Sequence, residues 1–330
     1  MRILLVKMSS MGDIVHNMPL VHDIKKKYPE ATIDWVVEES FAELARLNPL
    51  INLVIPVGMR RWKKSLFSKA TWVEFFKFKK ILQRVHYDVI LDTQGLIKSA
   101  VIARLANSKS FGQDSHTARE ALSGRLLNHP LNIPRNLHAI NRNRLVGALA
   151  LNYTLDELSL QYDMQFPADL EPKLANLLPK NCIMFFHSTA RDAKHWSNEN
   201  WITLGRYLNT QGLSLALPWG STIEKNRSGV IAKALKDAIV LPKLSIVQLA
   251  NLMRQAKFCI GLDTGLTHIA VALNVPTLAI FTDTHIWQAG TMPSASGCAI
   301  TVGGKTSIPS SLDVIESFKK LRDLSNSMHE

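Results

Sequence analysis

"ILLVKMSSMGDIVHNMP" (3–19) opens with four apolar residues and stops at Lys7. Met, Ser and Gly residues follow, then Asp13, then a stretch whose apolar residues recur at helical spacing. The pattern reads as a buried strand passing through a tight turn into a helix. A strand covered on both faces need not alternate with polar residues, which suits a parallel sheet. In such sheets ligands bind beyond the carboxyl ends of the strands. Asp13 stands at that end and has two readings. It can cap the helix that follows, or it can act as a general base on a bound hydroxyl. Gly12 permits close backbone approach at this turn. No GxGxxG follows the strand, which disfavours a dinucleotide.

The unit repeats along the chain. Strands are expected at 3–7, 33–37, 54–57 and 89–92, with helices at 13–27, 41–47, 72–84 and 97–105. After a linker near 160–180, rich in proline and polar residues, the plan starts again. Strands are expected at 182–187, 213–218, 239–241, 257–263 and 277–281. Helices alternate with them at 198–209, 223–235, 245–256 and 266–273, and an amphipathic helix closes the chain from 311 to 324. Two βαβ series in 330 residues predict two doubly wound α/β domains facing across a cleft. The expected division is 1–165 and 166–310, with 311–330 as a terminal helix that packs back on the first domain.

Charge is uneven. Residues 1–150 hold 23 Lys and Arg against 12 Asp and Glu; residues 151–330 hold 16 against 15. A cationic half attracts phosphate-rich partners: a phosphorylated substrate, an anionic membrane or nucleic acid. No apolar run is long enough for a transmembrane helix, and the first residues are too soon polar for a secretory signal. Cys182, Cys259 and Cys298 follow no metal or disulfide spacing. Reduced core thiols and a cytoplasmic location are therefore expected.

Other strand ends carry chemistry too. "RRWKK" (60–64) sets four cations around Trp62, either as a solvated loop or as a clamp for oxyanions. "FKFKK" (76–80) mixes cations with aromatics, as at a membrane interface; core packing accounts for part of those aromatics. "LDTQGLIKSA" (91–100) repeats the acid, small residue, Gly and helix order with Asp92. Arg119, Arg142 and Arg144 lie in polar segments, where single arginines are usually surface residues. In "FHSTARDAKHW" (186–196), Ser188 and Thr189 offer hydroxyls and Lys194 a cation. Glu224 in "PWGSTIEK" (218–225) suits a pair of ribose hydroxyls, or a helix first turn. "GLDTGLTH" (261–268) is a turn into a helix start, an anion cradle formed by Asp263, Thr264 and Gly265 with His268 one turn in.

Taken together and in order, "VKMSSMGDIVHNMP", "DWVVEE", "RRWKK", "DTQGLIKSA", "TARE", "RDAKHW", "LPWG", "LPK" and "DTGLTH" resemble the lipopolysaccharide heptosyltransferases of glycosyltransferase family 9. "RRWKK" and "DWVVEE" favour the type I enzymes over type II. The resemblance runs from the first residue to about 285. It implies the GT-B fold and an inverting transfer of L-glycero-D-manno-heptose from ADP-heptose to Kdo of Kdo2-lipid A. It also implies no cofactor, no essential metal and no nucleic-acid partner. It makes Asp13 the catalytic base. Arg60, Arg61, Lys63, Lys64, Arg119 and Arg142 become acceptor-binding residues. Thr189, Lys194, Glu224, Leu244, Asp263, Thr264, Gly265 and His268 become donor-binding residues. Ala190 stands where a second threonine is expected. The implied place of work is the anionic cytoplasmic face of the inner membrane. Two rivals stand beside this: another family 9 transferase such as a type II enzyme, and a basic nucleic-acid-binding protein without catalysis.

Overall fold

The computed structural model describes residues 1–156, 158–167, 174, 176–189 and 191–328. The chain divides into two units, Met1–Gln165 and Phe166–Glu330.

The first unit holds a six-stranded parallel sheet of β1 (Arg2–Val6), β2 (Thr32–Glu38), β3 (Leu53–Val57), β4 (Val89–Asp92), β5 (Ser110–Gln113) and β6 (His129–Leu131). Its order is β3-β2-β1-β4-β5-β6. The second unit holds β7 (Cys182–Phe186), β8 (Ser214–Leu217), β9 (Ala238–Val240), β10 (Phe258–Leu262), β11 (Thr277–Phe281) and β12 (Ala299–Gly303), also all parallel. Its order, β12-β11-β10-β7-β8-β9, is the same topology read from the other edge. Both are the doubly wound order whose switch point lies between the first and fourth strands. Those strands are β1 and β4 in one unit and β7 and β10 in the other.

The central strands are apolar because both faces are covered. Ile3, Leu4, Leu5 and Val6 are wholly buried, as are Ile183, Met184 and Phe185. Asp34, buried within β2, is satisfied by Arg2 at 2.9 Å, the Tyr87 hydroxyl at 2.9 Å and Asn52 at 2.8 Å.

Several sequence expectations change. The helix expected at 13–27 is two helices, Met11–Val15 and Met18–Lys27. Pro19 sits in the first turn of the second, where its missing N–H is harmless; inside a longer helix it would clash with the preceding turn. "RRWKK" is not a loop but part of the helix Met59–Lys64, with Trp62 turned inward. β5, β6 and β12 went unread. β5 and β6 are short and carry Gly112 and Pro130, and β12 is a half-buried edge strand without clean alternation. The closing helix runs Ser311–Ser327. Val314, Ile315, Phe318 and Leu321 belong to the core of the second unit, with the Phe318 ring edge-on to Phe258 at 5.2 Å. Of the expected linker, residues 168–173 and 175 lie outside the described residues.

Candidate active site

In the first unit the loops leaving β1 and β4 are laced together by Gln94. Its Oε1 accepts from Met8 N at 2.7 Å and Ser9 N at 3.2 Å, and its Nε2 donates to Ser9 O at 2.7 Å. Beside it Gly95 has φ of +65°, and a Cβ there would meet Gln113 Oε1 at 2.8 Å. The laced loop ends at Ser10, which starts the helix bearing Asp13. Asp13 Oδ2 accepts from Ser10 N at 2.7 Å and from Ser10 Oγ at 2.9 Å. Its other oxygen accepts nothing from the described residues, and the side chain is half-buried. The capping role thus occupies one carboxylate oxygen and leaves the second for a ligand.

Lys7 lies under this turn. It is buried, and its Nζ donates to Thr93 O at 2.8 Å. Burial lowers its pKa, while the charges of Asp13 and Asp92 pull the other way. Asp92 accepts from Gln94 N at 2.9 Å, Gly95 N at 3.3 Å and Ser99 Oγ at 2.9 Å. Burial pushes its carboxyl up to about 6, against these hydrogen bonds and the charge of Lys7. A carboxyl raised in the fold keeps its proton where the unfolded chain has lost it. Asp92 therefore lowers stability as pH rises from about 4 to about 6, and the full penalty remains above that window. Asp92→Asn preserves the acceptor for the two backbone N–H groups. Urea melts at several pH values should show wild type losing about 2 kcal/mol relative to this variant between pH 4 and 6. Parallel curves would remove Asp92 from that role.

The cations are not equivalent. Arg61 is pinned by Glu39 at 3.0 Å and Glu74 at 2.7 Å, and the Trp62 indole donates to Glu74 at 2.8 Å. The Arg60 guanidinium lies 5.2 Å from the Phe41 ring centre. Lys63 and Lys64 are exposed and make no ion pair among the described residues. Arg119 is exposed, whereas Arg142 is half-buried and donates to Gln113 Oε1 at 3.1 Å and Thr117 O at 2.8 Å. Arg142 Nε is buried without a partner among the described residues. Arg144 is not a surface residue: it is buried and forked onto Asp23 at 2.7 and 2.9 Å.

In the second unit Asp263 ends β10 and gathers a cluster. Lys194 Nζ and Thr284 Oγ1, the latter at 2.6 Å, both donate to Oδ2, and His268 Nε2 lies 3.5 Å from Oδ1. Burial would raise the Asp263 carboxyl, but the hydrogen bonds from His268, Lys194 and Thr284 prevail and hold it well below the usual carboxylate range. Thr264 is the N-cap of the helix Gly265–Ala272, so the first N–H groups of that helix open beside the cluster. On the neighbouring loop, burial and the Arg227 charge push His187 down to about 4, so it is neutral at pH 7, bonded to Ser188 and Ser228. The half-buried Thr189 accepts from His195 through its carbonyl at 3.1 Å. Ala190 lies outside the described residues. Glu224 closes a capping box, its Oε2 accepting from Gly220 N at 2.6 Å and Ser221 N at 3.2 Å. Leu244 is half-buried on the loop after β9.

Residues 75–312 match the model of glycosyltransferase family 9 (heptosyltransferase). The chain belongs to glycosyltransferase family 9. It is 40% identical over 288 residues to lipopolysaccharide heptosyltransferase 1 of Pseudomonas aeruginosa, covering 86% of this chain and 79% of that one. Among solved structures it is similar to the E. coli heptosyltransferase WaaC with ADP, at a TM-score of 0.85 and 34% identity, over 97% of this chain and 100% of that one. The same enzyme with ADP-2-deoxy-2-fluoro heptose gives 0.81 at 34% identity, over 97% and 99%.

In this family 9 glycosyltransferase the fold brings Lys194, Asp263, Thr264, Gly265 and His268 together within the second unit. Within the first, Asp13, Arg119 and Arg142 all act on one buried lysine, Lys7. Sequence reading missed Lys7, Gln94 and Thr284. Each stands within three residues of a strand's carboxyl end, and that position was the available signal.

Proposed function

We propose that this glycosyltransferase moves L-glycero-D-manno-heptose from ADP-heptose to Kdo of Kdo2-lipid A, with inversion and without an essential metal. It works on the cytoplasmic face of the inner membrane, and the two units divide the labour. The first supplies Asp13 as general base and Arg60, Lys63, Lys64, Arg119 and Arg142 for the acceptor's carboxylates and phosphates. Arg61 orients that cluster through Glu39 and Glu74. The second unit binds the donor through Thr189, Lys194, Glu224, Leu244 and the turn of Asp263, Thr264, Gly265 and His268. As the new bond forms, the acceptor hydroxyl gives its proton to Asp13. Negative charge grows on the departing nucleotide, where Lys194 and the helix-start N–H groups stabilise it. The observation that supports this most is the free carboxylate oxygen of Asp13 beyond β1, on a chain 34% identical to an enzyme solved with an ADP-heptose analogue.

Purified protein, ADP-heptose and Kdo2-lipid A in detergent micelles with EDTA should yield a lipid heavier by one heptose residue, with equimolar ADP. Mass spectrometry reads the first and a coupled assay the second. No gain on Kdo2-lipid A, with a gain on an acceptor already bearing heptose, would reassign the protein to the type II branch.

A further inference from the structure

The helix Lys69–Leu82 has two faces of unequal fate. Thr71, Phe78 and Leu82 point inward and are buried, with Phe75 packed beside them against Trp62. The outer face keeps large apolar side chains in water: Trp72, Val73 and Phe76 are each more than half exposed. The turn before the helix adds Leu66, 53% exposed, and Phe67, fully exposed. These are one patch. The Trp72 indole donates to Leu66 O at 2.9 Å, and the Trp72 and Phe76 rings lie 6.3 Å apart, one helical turn from each other. Single exposed apolar residues are ordinary, but a contiguous group of five on a charged surface marks an interaction site.

Charge identifies the partner. Lys69, Lys77 and Lys80 flank the patch and are exposed, and Lys79 adds a fourth cation to the helix. Its one acid, Glu74, is engaged by Arg61 and Trp62. A nucleic acid would ask for stacked rings over a cationic track; here exposed aliphatic and aromatic side chains are flanked by lysines. We propose that residues 66–80 dock on an anionic lipid bilayer, with Leu66, Phe67, Trp72, Val73 and Phe76 entering the boundary between headgroups and acyl chains and the lysines holding the lipid phosphates. No helix of the described residues is long and apolar enough to cross a membrane. This docking deepens the proposal of a lipid-borne acceptor and rests on exposure and charge in the first unit.

The test is co-sedimentation of the full chain with vesicles of phosphatidylglycerol and phosphatidylethanolamine, with phosphatidylcholine vesicles as the neutral control. Wild type should partition onto the anionic vesicles. Phe67→Ser with Phe76→Ser, two rings that face solvent, should reduce partitioning at least about tenfold. Lys69→Gln, Lys77→Gln and Lys80→Gln should each reduce it about fivefold, on anionic vesicles only. Both sets should transfer sugar to a water-soluble, deacylated Kdo acceptor within about twofold of wild type and fail mainly on vesicle-borne acceptor. Equal partitioning of wild type and the ring variant, or equal losses on both acceptors, would overturn the proposal. So would binding to poly(U) that the same substitutions abolish without any vesicle binding. Vesicle binding is read without turnover, so it stands apart from failure of the transferase assay.

Discussion

Asp13→Asn is expected to lower kcat by about 10²- to 10⁴-fold, the usual worth of a general base, with the donor KM little changed. Asparagine is the informative replacement because Asp13 has two jobs. Its amide oxygen can still accept from Ser10 N and Ser10 Oγ, so the helix start at Met11 survives. What disappears is the basic oxygen that the cap leaves unused. Asp13→Ala removes both functions and should add a stability loss of about 1 kcal/mol, the typical value of a cap. A chemical role therefore predicts two variants with similar residual turnover and different melting temperatures. A purely structural role predicts that turnover follows stability, with the asparagine variant near wild type. Steady-state kinetics on both variants, each with a thermal melt, decides between them. Near-normal kcat for Asp13→Asn would remove the residue from the chemistry.

The capping geometry also shows why sequence alone left Asp13 with two readings. Ser10 with Asp13, Ser221 with Glu224, Ser245 with Gln248 and Ser310 with Asp313 build the same kind of box. Each follows the carboxyl end of a strand, so the motif does not single out a site; only the first follows a strand at a switch point, β1. The two parallel, doubly covered sheets were legible, because long apolar runs such as 182–187 suit strands buried on both faces. The edges were not. β6 needs its neighbour β5 to be recognised as a strand at all, since His129, Pro130 and Leu131 have no strand pattern of their own. The cations of 60–64 were visible as a group, but their division was not. Arg61 is neutralised by acids 22 residues before it and 13 after it, a pairing that only the packing of the helices around β3 creates. Arg144 was misread for the same reason, its partner Asp23 lying 121 residues away.

Lys194→Met is the second change with a large expected effect. The ammonium and the Asp263 carboxylate form a pair in which both side chains are about nine-tenths buried. Removing one member of a buried pair typically costs 3–5 kcal/mol, because the other charge stays behind. Thr284 and His268 still hold Asp263, so the lower end of that range is expected here. The sign with pH follows. Asp263 has a depressed carboxyl, so its contribution is present above the unfolded value near 3.9 and is lost as pH falls through the folded value. Taking Lys194 away lessens the depression, so the variant has less of this stability to lose: its acid loss begins at the same unfolded value, is smaller, and is complete at a higher pH than in wild type. Turnover should fall as well, by about 10²- to 10³-fold in kcat/KM for the donor, as the departing diphosphate loses a charged donor. Stability and chemistry separate in the double variant Lys194→Met/Asp263→Asn. There the stranded charge is gone and most of the stability returns, while the leaving group remains without its cation. Urea melts should therefore show recovery and initial rates should not. If the rates recovered with the fold, the pair would be architectural, and leaving-group stabilisation would fall to the N–H groups at the start of the helix Gly265–Ala272.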